Sequence, residues 1–369
     1  MKIEYKSGLP RRSTSEETGN IYKSFIKYAP CSMAMDSIVI DTNASQEDFE
    51  QCVKMALDLV EWRMADGDYE AFKKGFPGNF VLYVARDTGE MPSKAWLISY
   101  PECDKVVGFC LFSTQYTLKE KKEISTFGCF LVLPEYRNRR IGAKLFQLAT
   151  EAKIKEGKNV SLQAAVDMRG YYATRGFKLT CPGPNPKVLF DPSSVSKSRL
   201  ETLCKESADR LGSEGLKIVD VDRIDDEALN VFERSVADVD RSAYTSVWLR
   251  RPDVLTKTCV DSEGNVLGYA CLRHVSGRRL LFSPIFARNE PIARAMVLAA
   301  LLATPDLQDY KEVCANALVE NTAIKKIFED VVNGEVDVQF TTQKMFTMEL
   351  IEWKCDQIFA YTALGCVCL

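Results

Sequence analysis

The chain has 369 residues, with 48 Lys and Arg against 51 Asp and Glu and a formal net charge of −3. Hydrophobic residues make up 46% and charged residues 27%, ordinary globular values that exclude disorder, collagen and coiled coil as the main architecture. At about 150 residues per domain the length suggests two or three domains.

No apolar run reaches the roughly 18 residues of a membrane helix, and the charge balance leaves no whole-chain basic footprint for nucleic acid. Neither a membrane nor a nucleic acid is an expected partner. Met1–Glu17 mixes Lys, Arg and Glu without an apolar stretch, so neither a secretory signal nor a mitochondrial transit peptide is read there. Thirteen cysteines are scattered with no C-x-x-C pair, which suits a reducing compartment and a cytoplasmic location. The single histidine, His274, rules out His-rich metal sites and leaves a His-dependent triad one residue to draw on. No metal is expected.

Residues 1–35 are polar and aperiodic and read as a loosely packed extension. Ser37–Ile40 predicts a strand. Ser45 then caps a helix carrying Phe49, Val53, Ala56, Leu57 and Val60 on one face, with Asp48 completing a capping box. A second helix is expected around Tyr69–Lys74, then strands at Asn79–Ala85, Val106–Ser113 and Ile124–Leu133. Pro134 stops the last of these. A helix over about Gly142–Glu156 buries Ile141, Leu145, Leu148, Ala149 and Ala152, and Gly157 ends it. Val160–Ala165 predicts a strand, Gly170–Thr174 a short helix, and Phe177–Leu179 and Val188–Phe190 further strands around the turn-rich Cys181–Pro186. Residues 191–214 look like a linking helix.

From Leu216 a similar order recurs: strand Leu216–Val219, helix Asp225–Val236, and antiparallel strands Thr256–Asp261, Val266–His274 and Arg279–Pro284. Glu263-Gly264 and Ser276-Gly277 mark the turns between those strands. Then come helix Glu290–Ala303, strand Glu312–Leu318, helix Asn321–Asp330, and strands Gln339–Met348 and Gln357–Leu364. The expectation is α/β (α+β), with two related domains at 36–190 and 215–369 joined by a 191–214 linker, each with a mixed, mostly antiparallel sheet flanked by helices.

The chemistry concentrates in Phe130–Ala143, FLVLPEYRNRRIGA. An apolar strand enters Pro134, and a loop with Arg137, Arg139 and Arg140 becomes a helix. The first turn of a helix offers unpaired N–H groups and the positive end of its dipole. Guanidinium groups add bidentate donors, and Gly142 permits close approach to the backbone. Together these suit a diphosphate. A solvated basic loop at a helix start is the alternative.

LVLPEYRNRRIG resembles motif A of the GNAT N-acetyltransferases, (Q/R)-x-x-G-x-(G/A) after a strand. Arg137 stands in the first position, Gly142 in the last, and Arg140 where the middle glycine is usual. Tyr171–Phe177, YYATRGF, resembles the Y-x-x-x-G-F of motif B. Residues 216–364 resemble the divergent GNAT-like domain of YitH type, through Glu233–Arg251, Phe282–Leu302 and Gln343–Phe346. That second domain has no R-x-x-G-x-G, so productive coenzyme A binding is not expected there.

The resemblance implies an acetyl-CoA-dependent N-acetyltransferase acting by direct attack on a small amine or amino-acid-like acceptor. It implies that the backbone of Phe130, Leu131 and Val132 binds the pantetheine and polarises the thioester. Arg137, Asn138, Arg139, Arg140, Ile141, Gly142 and Ala143 would hold the diphosphate, and Tyr172 would protonate the leaving thiolate. With a single His, and that in the second half, the amine proton would go to a carboxylate, Glu123 or Asp167, or to an ordered water. Asp238, Asp240 and Trp248–Asp253 are candidates for an acceptor cleft, and His274 for a structural role. A non-catalytic acyl-CoA-binding or regulatory protein, and a protein lysine or N-terminal acetyltransferase, are the alternative readings. Cys366–Leu369 formally fits a prenylation signal. The preceding Ile358–Gly365, read as a buried strand, argues for an unmodified end.

Overall fold

A computed structural model describes residues 37–89 and 105–362. The expected extension over 1–35 and the Cys366–Leu369 motif lie outside the described residues.

Strand β1 (Ile38–Asp41) leads into α1 (Gln46–Val60). The Ser45 hydroxyl accepts the Asp48 N–H at 3.2 Å while the Asp48 carboxylate accepts the Ser45 N–H at 2.7 Å, so the capping box is present in full. Phe49, Cys52, Val53 and Ala56 form the buried face of this helix. After α2 (Asp68–Gly75) come β2 (Phe80–Asp87), β3 (Lys105–Tyr116), β4 (Glu123–Val132), α3 (Ile141–Lys155) and β5 (Asn159–Ala165). The short α4 (Arg169–Ala173), β6 (Leu179–Thr180) and β7 (Asn185–Phe190) follow. The strand expected at Phe177–Leu179 is displaced, because Gly176 turns at φ +99° and Phe177 drops into the core.

The second half holds α5 (Lys197–Ser213), β8 (Lys217–Asp220), α6 (Asp226–Val236), α7 (Ser242–Trp248), β9 (Val254–Val260), β10 (Val266–Val275) and β11 (Arg279–Ala287). It ends with α8 (Glu290–Leu302), β12 (Glu312–Asn316), α9 (Ala323–Val332), β13 (Asp337–Phe346) and β14 (Ile358–Ala360). Gly264 and Gly277 turn the two hairpins at φ +87° and +77°. Helix α5 buries Leu200 and Leu211 against the second half, so it belongs to that core.

All the described strands join one sheet, in the order β1-β2-β3-β4-β5-β13-β7-β12-β11-β10-β9-β8, with β14 on β11 and β6 on β13. Read inward from either edge the pattern is the same: antiparallel pairs, one parallel pair (β4 with β5, β11 with β12), then an antiparallel partner. The innermost strands are exchanged. β13, from late in the chain, pairs with β5, and β7, from the earlier half, pairs with β12. β13 and β7 also pair with each other at the centre.

A buried charge cluster ties the halves further. Asp68 of α2, 0% exposed, accepts from Arg251 Nη1 at 2.7 Å and from Arg273 of β10. Both guanidinium groups lie over the Trp248 ring, with centroids 4.7 and 4.5 Å away. Trp248 stacks in turn on Tyr244 and Phe72.

Candidate active site

The site begins with an irregularity in β4. Its register with β3 shifts between Phe109 and Leu111, and Cys129 sits there at φ +47°. This is a β-bulge, which bends the strand. Before it, Ile124–Phe127 pair in parallel with Asn159–Leu162 of β5. After it, among the described residues, no strand pairs with β4 on that side, and β4 and β5 splay into a V.

The backbone of this arm alternates. Leu133 N–H donates to Val107 O of β3 at 2.9 Å. In an antiparallel ladder every second residue shares an edge, so the Leu131 backbone also faces β3. Phe130 and Val132 therefore turn their backbone groups into the V. Of the three residues predicted to bind an extended ligand, two have their N–H and C=O on the open side. The Val132 carbonyl there accepts Arg137 Nε at 3.1 Å, which pins the loop to the strand end.

Pro134–Tyr136 form a single 3-10 turn, and the chain passes through Asn138 at φ +64° and Arg140 at φ +60° before α3 begins. Arg140 is the N-cap of α3 in the left-handed region, without a side-chain cap, and no acid occupies the first turn. The first N–H groups of α3 are thus left for a ligand or water. The left-handed geometry explains why a glycine suits that position. Arg139 lies over the Tyr136 ring at 4.7 Å, and the Tyr136 hydroxyl donates to Asp87 at 2.8 Å. Burial and this bond to Asp87 push the Tyr136 phenol up to about 12. Arg140 and Lys144 are exposed and have no ion pair among the described residues. A Cβ on Gly142 would stand 3.0 Å from Phe130 Cζ, so this glycine lets the helix start lie directly on β4. Ile141 is buried beneath the loop, and Ala143 is exposed on the first turn.

Tyr172 of α4 is 8% exposed and packs against Phe146 of α3 and Phe177, with ring centroids 6.2 and 6.1 Å away. Burial holds its phenol well above the usual value, so it is a protonated acid at neutral pH.

Glu123 stands elsewhere. It opens β4, about 20 Å along the strand from Cys129 at roughly 3.3 Å per residue, and pairs with Lys153 at 2.5 Å. Asp167 is exposed just beyond β5. Asp238 accepts the N–H groups of Leu118 and Lys119 at 3.1 and 3.0 Å, and Asp240 accepts from Ser242, so both carboxylates serve loop and helix starts. In Trp248–Asp253 the indole donates to Ser283 O at 2.9 Å and Arg251 pairs with Asp68 and Asp253. His274 Nδ1 is 2.8 Å from the Tyr310 hydroxyl.

A cavity of about 630 Å³ lies between the halves, lined by Arg251 and Asp253 of the Trp248–Asp253 run expected at a cleft, and by Met64, Asp66, Glu70 and His274, which sequence reasoning did not place there. No residue of the basic loop lines it. No group of three or more His, Cys, Asp or Glu is placed to hold a metal ion among the described residues. No helix among them is long and apolar enough to cross a membrane.

The Acetyltransferase (GNAT) family profile matches residues 58–177, a span containing the V, the basic loop and Tyr172. No curated protein matches the chain. A "Putative Acetyltransferase" of known structure from Pyrococcus horikoshii superposes with a TM-score of 0.57 at 15% identity, covering 92% of this chain and 99% of that one. A GCN5-related N-acetyltransferase from Kribbella flavida gives a TM-score of 0.42 at 15% identity, covering 84% of this chain and 71% of that one. Residues 58–177 therefore carry a domain of the GNAT acetyltransferase family.

Proposed function

We propose that this protein moves an acetyl group from acetyl-CoA to the nitrogen of a small amine, in the cytoplasm, using the V of the first half. The observation that carries the reading is the junction of an open strand edge with an uncapped, cationic helix start. One arm of the V presents the backbone of Phe130 and Val132, and it runs directly into Arg137–Gly142 at the N-terminus of α3. An extended amide-bearing chain ending in a diphosphate fits both features.

In this reading Asn138, Arg139, Arg140 and the first turn of α3, from Ile141 to Ala143, take the diphosphate. Arg137 shapes the loop through Val132. The acceptor nitrogen attacks the thioester carbonyl carbon, and the oxygen that gains negative charge is received by backbone N–H of the β4 arm. As the C–S bond breaks, the Tyr172 hydroxyl gives its proton to the departing sulfur. The ammonium left on the new amide passes its proton to water, and Tyr172 is reprotonated from solvent. Glu123, committed to Lys153 at the far end of β4, is not assigned to this proton.

The nine described cysteines are all free thiols, which supports a reducing cytoplasmic setting.

The test is release of free coenzyme A thiol from acetyl-CoA against a panel of small amines and peptides. Thiol release with amines and not with peptides supports the reading. Tight acetyl-CoA binding without release for any acceptor replaces it with a non-catalytic acyl-CoA-binding protein.

A further inference from the structure

The second half repeats the V and then fills it. β11 and β12 pair in parallel over Arg279–Phe282 and Glu312–Ala315, the counterpart of β4 with β5. The register of β11 with β10 shifts between Ala270 and Leu272, so β11 departs from β12 after an irregularity just as β4 departs from β5. Into this second gap runs the chain's own β14. It pairs antiparallel with β11, Ala360 beside Ile285 and Ile358 beside Phe286. One residue on, the Tyr361 N–H donates to Asn316 O at the end of β12, at 2.9 Å.

Residues 358–361 thus bond to both arms. Ile358, Phe359 and Ala360 are buried. Asn321 clamps the approach, its side-chain amide donating to Cys355 O and Ile358 O at 3.2 and 3.0 Å. An open strand edge is what lets an extended ligand add to a sheet, and here the chain itself has used that edge.

The helix that follows β11 is closed as well. Helix α8 has Asn289 as N-cap, its side chain accepting the Ile292 N–H at 3.2 Å, with Pro291 and Glu290 in the first turn. Proline brings no N–H, the cap uses one of the remaining donors, and the Glu290 carboxylate opposes an anion at the dipole's positive end. Helix α3 differs on these points: it has no side-chain cap and no acid in its first turn, and its Arg140 and Lys144 have no ion pair among the described residues, whereas Arg294 of α8 pairs with Asp330 and Glu290.

We infer that the second V is permanently occupied by residues 358–361, and that this half offers no slot to an extended anionic ligand such as an acyl-CoA. The same segment then reaches the first half. The Tyr361 hydroxyl accepts from Gln163 of β5 at 2.9 Å and lies 3.1 Å from Thr342 of β13, so the plug of one V is anchored beside the other.

Two measurements on the full chain test this. Amide hydrogen exchange of the ligand-free protein should show Ile358, Ala360 and Tyr361 protected at the level of the central strands, and saturating coenzyme A should leave them unchanged. Calorimetric titration with coenzyme A should give one equivalent, and none in Gly142→Glu. Rapid exchange at 358–361, or protection there that appears only with coenzyme A, overturns the inference. So does a second equivalent, or an equivalent that survives Gly142→Glu. If the native chain binds no coenzyme A, the proposed acyl transfer fails, while the exchange of residues 358–361 still decides this inference.

Discussion

The Asp68 carboxylate holds Arg251 Nη1 at 2.7 Å across 183 residues of sequence, with neither side chain more than 6% exposed. Arg273 shares the same carboxylate from within β10. Two buried cations on one anion are tolerable because Asp253 also pairs with Arg251 and the Trp248 ring lies against both guanidinium groups. Removing the shared anion is the costly change. Asp68→Asn is expected to destabilise by about 3–5 kcal/mol, the usual loss on stranding a buried charge. Adding Arg273→Met should recover part of this, since Arg273 would otherwise face no counter-ion. Urea unfolding of the single and double variants checks it, and a double variant weaker than the single one contradicts the account.

Arg140 separates the fold from the ligand. It adopts φ +60° at the N-cap of α3, where a side chain carries strain that glycine avoids. Arg140→Gly is expected to hold or raise stability, by up to about 1 kcal/mol. It also removes a guanidinium without an ion pair among the described residues, so acetyl-CoA affinity should fall by about tenfold, within the range of one charge-assisted contact. Unfolding and calorimetry on the same sample give both numbers. Lower stability together with unchanged affinity would show that Arg140 shapes the loop and leaves the diphosphate to Arg139 and the helix start.

Local structure was legible from sequence because its determinants are local. Ser45 and Asp48 lie three residues apart, Gly264 and Gly277 supply the turns they forecast, and Arg137–Gly142 lie on one short loop. The pairing of halves was not legible. β7 and β13 are ordinary strands in sequence, and only pairings between residues far apart in the chain, Phe190 with Val313 and Ala165 with Thr342, decide that each completes the other half. The insertion of β14, written as a simple last strand, depends on the gap that β11 and β12 leave. Ser242–Trp248 is too short for a helical period to declare itself, although Tyr244 and Trp248, four apart and both buried, are the trace of one. Glu123 looked available because Lys153, its partner, is thirty residues away on α3.

Alkaline conditions should weaken the fold through Tyr136. Burial and the bond to Asp87 raise its phenol from the ordinary value near 10 to about 12. A group that binds its proton more tightly when folded gives stability that is fully present below the unfolded pKa and lost as pH rises through the folded one. Stability is therefore expected to be level with respect to this group at pH 7–9 and to decline between about 10 and 12. Tyr136→Phe should flatten part of that decline in urea titrations run across the interval. An identical pH profile for the variant would show that Tyr136 contributes nothing to it.

The last prediction concerns Tyr172, where packing and chemistry have to be told apart. Its ring is enclosed by Phe146, Phe177 and Tyr171, so large-to-small changes would damage the core and say nothing of catalysis. Tyr172→Phe keeps the ring and deletes only the hydroxyl. The hydroxyl makes no hydrogen bond among the described residues, so stability should change by less than about 1 kcal/mol. If the phenol protonates the departing thiolate, kcat should drop by about 10²-fold or more. The KM for acetyl-CoA should stay within about twofold, because the contacts proposed for the diphosphate and pantetheine are elsewhere. The pH profile adds a second reading. Burial holds the Tyr172 phenol above its ordinary pKa, so the native protein should keep this proton through pH 9 and show no alkaline fall in rate from this residue there. An acyl donor whose leaving thiolate is already stable, such as an aryl thioester, needs no proton, and with it the variant should regain most of the native rate. Equal losses with both donors would make Tyr172 a packing residue of the V, with the thiolate protonated by water.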